Sequence, residues 1–271
     1  MLKNRVVTAS ILAPLIIAAV LLLPAMWYAI VWGLVFALAA WEWSGLCGLT
    51  KVAERAGLVV LVGGAMVTGP QWADFALDWL SWPVVAWWFI LSLLLRRMPE
   101  KLLTLNYPLA VKLLVGVLVL VTSWIHLIWL RVNFGPNQVL YLLLLIWLAD
   151  ISAYFVGKNW GFAKLAPEIS PGKTVEGMYG ALIASALFAL GVGIYEGFGA
   201  VLVADFVLIS VLTVGISVVG DLFESLVKRI RGVKDSGSIL PGHGGILDRI
   251  DSVIAAAPLF YLGSYMREIF L

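Results

Sequence analysis

The chain has 271 residues, of which 62% are hydrophobic and 13% charged, with a formal net charge of +2. Apolar runs recur along its whole length, so composition excludes an ordinary water-soluble globular domain and gives a polytopic membrane protein. A single cysteine, Cys47, excludes an internal disulfide and any multi-cysteine metal site, and two histidines exclude a polyhistidine one.

Nine segments come near the roughly 17–25 residues that a bilayer core requires, at about 6–23, 25–46, 56–73, 77–95, 109–130, 138–157, 174–197, 199–223 and 252–270. Transmembrane barrel strands would alternate in polarity over roughly ten residues, whereas these runs are longer and apolar all round, so an all-α membrane protein is expected. The first run follows Lys3 and Arg5 as a signal peptide would. It is long, however, and Pro24 leads into a second span instead of a small-residue cleavage site, so it is expected to be retained.

Charge orients the spans, because cytoplasmic loops are enriched in Lys and Arg. With the N-terminus inside, the inner side collects Lys3, Arg5, Lys51, Arg55, Arg96, Arg97, Lys101, Lys112, Lys158, Lys164, Lys173, Lys228, Arg229, Arg231, Lys234 and Arg249, which is 16 of the 18 basic residues. The outer side keeps Arg131 and Arg267 with Asp74, Asp78 and Glu196. The C-terminus is therefore expected outside. Several tryptophans near proposed span ends, among them Trp27, Trp43, Trp72, Trp82 and Trp129, suit either interfacial anchoring or plain apolar bulk.

One membrane domain without repeat or linker is expected, divided near residue 135 into a helical scaffold, 1–135, and a catalytic half, 136–271, that carries two polar inner loops. Glu42, near the inner end of the second span, could reach the interface or pair with a loop arginine. His126, alone in an apolar span, reads as structural.

The first inner loop, Asp150 to Gly177, opens with a carboxylate at the mouth of a span, where an unpaired charge is costly. Asp150 therefore faces a polar cavity, with Tyr154 one helical turn on along the same face. Lys158, Lys164 and Lys173 follow, with Gly157, Gly161 and Gly172 loosening the backbone. Such a loop could close round a phosphate-bearing ligand, or could equally lie on anionic head groups. Ser170-Pro171-Gly172-Lys173-Thr174 lacks the glycine spacing of a P-loop.

The second inner loop is sharper. Asp221, Glu224, Ser225 and Lys228 share one helix face if the eighth helix continues past the membrane, and Asp248 and Asp251 stand three apart at the start of the ninth span. Mg²⁺ takes one or two carboxylates and leaves its other positions to water and substrate phosphates. Lys228, Arg229, Arg231, Lys234 and Arg249 suit phosphate oxygens, and Gly242-His243-Gly244-Gly245 can turn main-chain N–H groups onto an anion. The alternative is that these acids and bases only pair with one another.

The run from Ser225 to Asp251, SLVKRIRGVKDSGSILPGHGGILDRID, closely resembles the signature of the phosphatidate cytidylyltransferase, or CDP-diacylglycerol synthase, family. The matching positions are Ser225, Lys228, Arg229, Lys234, Asp235, Gly237, Leu240, Pro241, His243, Gly244, Gly245, Asp248, Arg249 and Asp251. Upstream, Asp150, Ala153, Tyr154, Gly157, Lys164 to Pro167, Ser170-Pro171, Lys173-Thr174 and Glu176-Gly177 are similar to the family's other polar loop. Ile151-Ser152 departs from an expected small pair, and the N-terminal spans match only in character.

The resemblance implies a reaction of CTP with phosphatidic acid in a bacterial cytoplasmic membrane, with the active site facing the cytoplasm and a homodimer as the assembly. No nucleic-acid partner is expected. It implies Asp221 and Asp248 as leading Mg²⁺ ligands with Asp251 next, one cation or two, and Glu224 behind them. It further implies Asp221, Asp248, Lys228, Arg229 and His243 as catalytic, and Lys164, Ser170, Lys173, Ser225, Lys234, Gly244, Gly245 and Arg249 as substrate-binding, with Asp150 supporting from across the cleft. A transporter would instead place polar groups near the bilayer midplane, and a CDP-alcohol phosphotransferase would carry a D-G-x-x-A-R arrangement that is absent here. A membrane lipid kinase would differ in the phosphorus attacked.

Overall fold

The computed structural model describes residues 2–239 and 244–270. Within them the chain forms helices α1 (Leu2–Leu22), α2 (Ala25–Leu46), α3 (Val52–Val67) and α4 (Gly69–Phe75), a π-helical turn (Ala76–Leu80), then α5 (Ser81–Arg97), α6 (Pro99–Thr104), α7 (Leu109–Phe134) and α8 (Pro136–Trp160). Strands β1 (Lys164–Ala166) and β2 (Ser170–Thr174) precede α9 (Val175–Tyr195), α10 (Ala200–Arg231) and α11 (Leu247–Phe270). Helices dominate because a helix satisfies its own backbone polar groups, which lipid leaves no water to do.

Among the described residues six helical segments are long and apolar enough to cross a membrane: α2, the continuous run Gly69–Arg97, α7, α8, α9 and α10. The expected break between 56–73 and 77–95 falls elsewhere. Helix α3 stops before Thr68, and Pro70 stands in the first turn of the next helix, where its missing N–H costs nothing. Asp74 and Asp78 then lie inside the helical run Gly69–Arg97, which passes through the π-helical turn. The wholly α expectation also misses an antiparallel hairpin in the first polar loop, with Lys164 opposite Thr174 and Ala166 opposite Ser170.

Helix α10 is the axis of the polar half, packed between α9 and α11, while α7 packs on α2, α3 and α11. Its length matters. It runs to Arg231, so Asp221, Glu224, Ser225 and Lys228 do lie on one continuous helix. It ends at Gly232, which adopts φ +75°; the Gly232 and Val233 N–H groups return to the carbonyls of Arg229 and Lys228. That left-handed terminus favours glycine because it has no Cβ to clash. Helix α11 starts at Leu247, ahead of the expected 252, which puts Asp248 in its first turn.

Two close approaches bring the acid-bearing helices together. A Cβ on Gly220 would stand 2.5 Å from the Asp251 carbonyl oxygen and 2.7 Å from the Ala255 Cβ, so α10 and α11 meet where neither has bulk. A Cβ on Gly177 would stand 2.8 Å from the Ala153 carbonyl oxygen, and one on Gly157 the same distance from the Thr174 Oγ, which fixes α8 against the start of α9. Forcing extra carbon into a packed interior costs about 1–3 kcal/mol or more. Gly220→Val is expected to lower the melting temperature of the detergent-purified protein clearly, while Gly215→Val, at a glycine on the same helix with open space around its Cβ position, leaves it nearly unchanged; equal melting of the two would refute this packing.

Candidate active site

A cavity of about 620 Å³ opens between the C-terminal ends of α8 and α10, the hairpin and the N-terminal end of α11. Its wall carries Asp150, Asp221, Asp235, Asp248 and Asp251 together with Lys158, Lys173, Lys228, Lys234, Arg229 and Arg249. In a chain with 13% charged residues this is a concentrated polar surface, built where three helix ends and a strand converge.

The hairpin delivers Lys173. Thr174 caps α9 by accepting from the Gly177 N–H at 3.1 Å, and the Glu176 carboxylate accepts from the Phe162 and Ala163 N–H groups at 3.1 and 3.2 Å. Both ends of the hairpin are thereby fastened to the first turn of α9. Lys173 then reaches Asp221 on α10, Nζ to Oδ2 at 2.6 Å.

Asp248 is the centre of a second cluster. Its Oδ1 accepts from Lys228 Nζ at 2.6 Å, and its Oδ2 accepts from the Gly245 N–H at 2.8 Å, the Ser236 N–H at 2.9 Å and the Ser236 hydroxyl at 3.0 Å. Burial pushes this carboxyl up, but these donors outweigh it and hold Asp248, which precedes the apolar part of α11, below the usual carboxylate range. Lys228 also holds Glu224 at 3.0 Å across one turn of α10. Arg229 Nε donates to the Ile169 carbonyl at 3.1 Å, tying α10 to the tip of the hairpin.

The residues singled out in the sequence divide as follows. Asp221, Asp248, Asp251, Lys173, Ser225, Lys228, Arg229, Lys234 and Arg249 line one cavity with Asp150 and Tyr154. Gly244 and Gly245 shape the turn before α11: Gly244 has φ +83°, and a Cβ there would stand 2.7 Å from Asp248 Oδ2. Lys164 is exposed and Ser170 half-buried on the hairpin, and neither lines the cavity. His243 lies outside the described residues. His126 is buried between Ser81 and the Thr122 carbonyl, 2.7 and 2.6 Å away, in keeping with a structural role.

Glu42 has a larger role than its sequence suggested. It does not pair with an arginine; nearby Arg55 donates instead to the Trp41 carbonyl and the Ser44 hydroxyl. The Glu42 side chain, on a residue only 2% exposed, accepts from the Ile246 N–H at 3.0 Å and the Leu247 N–H at 2.8 Å, and lies 3.0 Å from the Ser236 hydroxyl, whose single proton it shares with Asp248. A carboxylate from the scaffold half thus satisfies the orphan donors at the N-terminus of α11 and lies at the positive end of its dipole. Gly237 and Gly245 make room, since a Cβ on either would overlap that carboxylate. The sequence signal was a buried acid with no partner on its own helix.

Comparison with known proteins places the chain in a family. Residues 3–266 match the model of the cytidylyltransferase family. A phosphatidate cytidylyltransferase of Pseudomonas aeruginosa is 40% identical over 265 residues, 96% of either chain. One from Haemophilus influenzae is 35% identical over 283 residues, covering 96% of this chain and 97% of the relative. One from Bacillus subtilis is 45% identical over 132 residues, 48% of each.

Glu42→Gln keeps the shape of the anchor but turns one accepting oxygen into an N–H₂ facing a donor. Hydrogen bonds to charged groups contribute about 1.5–3 kcal/mol. The variant is expected to melt several degrees lower and to be cleaved faster by protease between residues 232 and 246; wild-type melting and cleavage would show that this carboxylate does not hold the loop.

Proposed function

The chain belongs to the cytidylyltransferase family, and on that premise we propose that it joins CTP to phosphatidic acid, giving CDP-diacylglycerol and diphosphate for phospholipid synthesis. The observation that carries this reading is the meeting, in one cavity at helix ends, of Asp221 and Asp248, each bound to a lysine ammonium at 2.6 Å, with further cations alongside. Carboxylates that gather cations and cations that can turn to phosphate are what two anionic substrates require.

In the proposed reaction an oxygen of the phosphatidate phosphate attacks the α-phosphorus of CTP in line, and diphosphate leaves with the electrons of the broken P–O bond. The attacking oxygen is already anionic near neutral pH, so neither a protein nucleophile nor a general base is needed. Catalysis rests on position and charge neutralisation. Lys173, Lys228, Arg229 and Lys234 hold the phosphates, with Arg229 able to make two parallel contacts and Arg249 beside them.

The hard carboxylate oxygens on this wall suit Mg²⁺, and Asp221, Asp248 and Asp251 are the residues that would hold it. Among the described residues no three acidic, His or Cys side chains already form a group able to hold an ion. Lys173 pairs with Asp221 and Lys228 with Asp248, and these lysines are the groups that turn to substrate phosphates. Bound there, Mg²⁺ supplies neutralisation of phosphate charge and orientation of the triphosphate.

Topology follows the charge pattern. The proposed topology adds α1, α3 and α11 to the six segments that are long and apolar enough to cross a membrane, for nine passages. That odd number supports an inner N-terminus, a cytoplasmic cavity and an outer C-terminus in a bacterial inner membrane. We also propose a homodimer as the working assembly.

Purified protein is expected to form labelled CDP-diacylglycerol from CTP and phosphatidic acid only with a divalent cation, and Asp221→Asn to lose about a hundredfold or more of the rate at unchanged secondary structure. No product from folded wild type across lipids and cations would overturn the assignment. A C-terminal tag is expected to react with a membrane-impermeant reagent only from the outer face; reaction only from the cytoplasm would overturn the nine-pass topology.

A further inference from the structure

The phosphate-binding side of the cavity is accounted for by its lysines and arginines, but a nucleotide also presents a base. Among the described residues on the cavity wall one side chain is aromatic, Tyr154. It is 60% exposed, and charged side chains surround it on the same wall. It lies on α8 one turn beyond Asp150 and one turn before Lys158, so along this face the wall passes from carboxylate to ring to ammonium toward the open end of the helix. The Phe155 ring meets it edge-on at 5.5 Å and 74°, and the Lys158 Nζ stands 5.8 Å from its centroid. A tyrosine ring exposed in a charged cavity, braced by a neighbour and beside a cation, is a surface that stacks on another flat ring.

We infer that Tyr154 is the platform on which the pyrimidine base of the nucleotide stacks while Lys173, Lys228 and Arg229 hold its phosphates. This rests on the cytidylyltransferase reading and adds to it the group that binds the base. The ring gives affinity without reading the base's edge, because every nucleobase has a π-face. Exclusion of uracil or purine then falls to other groups.

The test separates base from phosphate. Binding of CTP and of inorganic tripolyphosphate is measured by titration calorimetry on full-length protein in detergent, and KM for CTP and for phosphatidic acid by product formation, for wild type, Tyr154→Ala and Tyr154→Phe. Tyr154→Ala is expected to weaken CTP binding and raise KM for CTP about tenfold or more, with tripolyphosphate binding and KM for phosphatidic acid unchanged; Tyr154→Phe, which keeps the ring, stays near wild type. A rise in KM for phosphatidic acid with CTP binding intact would overturn the inference and assign the ring to the lipid, and equal losses for CTP and tripolyphosphate would overturn it as a general disturbance of the site. Wild type that binds CTP but makes no product would overturn the cytidylyltransferase reading while the binding comparison still decides the role of Tyr154. Wild type that binds no CTP would overturn both.

Discussion

The interaction on which the rest depends is the bond between Lys228 and Asp248. Both are largely buried, they come from different helices, and their charges meet at 2.6 Å. A charge taken out of water must be paired and hydrogen-bonded, and breaking a buried pair by removing one partner costs about 3–5 kcal/mol. The chain meets this demand in full at Asp248, whose second oxygen takes three further donors. That satisfaction ties Ser236 and Gly245 to the first turn of α11. Polar residues, rather than apolar ones, thus decide the shape of this end of the molecule.

The scaffold half takes part through the same logic. Glu42 crosses from α2 to cap α11, and Trp43 beside it donates to the Lys112 carbonyl at 3.0 Å while its ring packs 5.8 Å from Phe223, next to Glu224 on α10. Gly116 on α7 is required there, because a Cβ at that position would overlap the Trp43 indole. A chain of contacts therefore runs from the apolar helices to the carboxylates without a polar loop between. The cavity-lining charges all come from Asp150 onward, yet Glu42 and Trp43 from the scaffold helices help to hold them in place.

Much of this was legible in the sequence, and what was missed has a physical reason. The helices could be read because a bilayer allows few alternatives, and the continuation of α10 could be read from charges spaced at three and four. The break at Thr68 could not, since apolar residues on both sides give no contrast and only Pro70 marks it. The hairpin between Lys164 and Thr174 was hidden because short strands held by caps and backbone bonds leave no alternating pattern. Glu42 was noticed but its partner was not, because the partner is a row of main-chain N–H groups, and backbone donors carry no letter. Lys164 and Ser170 were grouped with the site by motif, yet strand geometry leaves them off the cavity wall.

The pairing of acids with lysines also bears on how one cavity in a membrane protein can carry so many charges. Without internal pairs, five aspartates and several cations facing one cavity would have to be solvated separately at a position where burial makes that costly. With them, each lysine is already dehydrated and aimed when a phosphate arrives, and moving from a carboxylate to a phosphate oxygen exchanges one charge-assisted bond for another. In the proposed reaction that exchange would leave carboxylates without their lysines, and this is the physical reason a divalent cation belongs to the proposal.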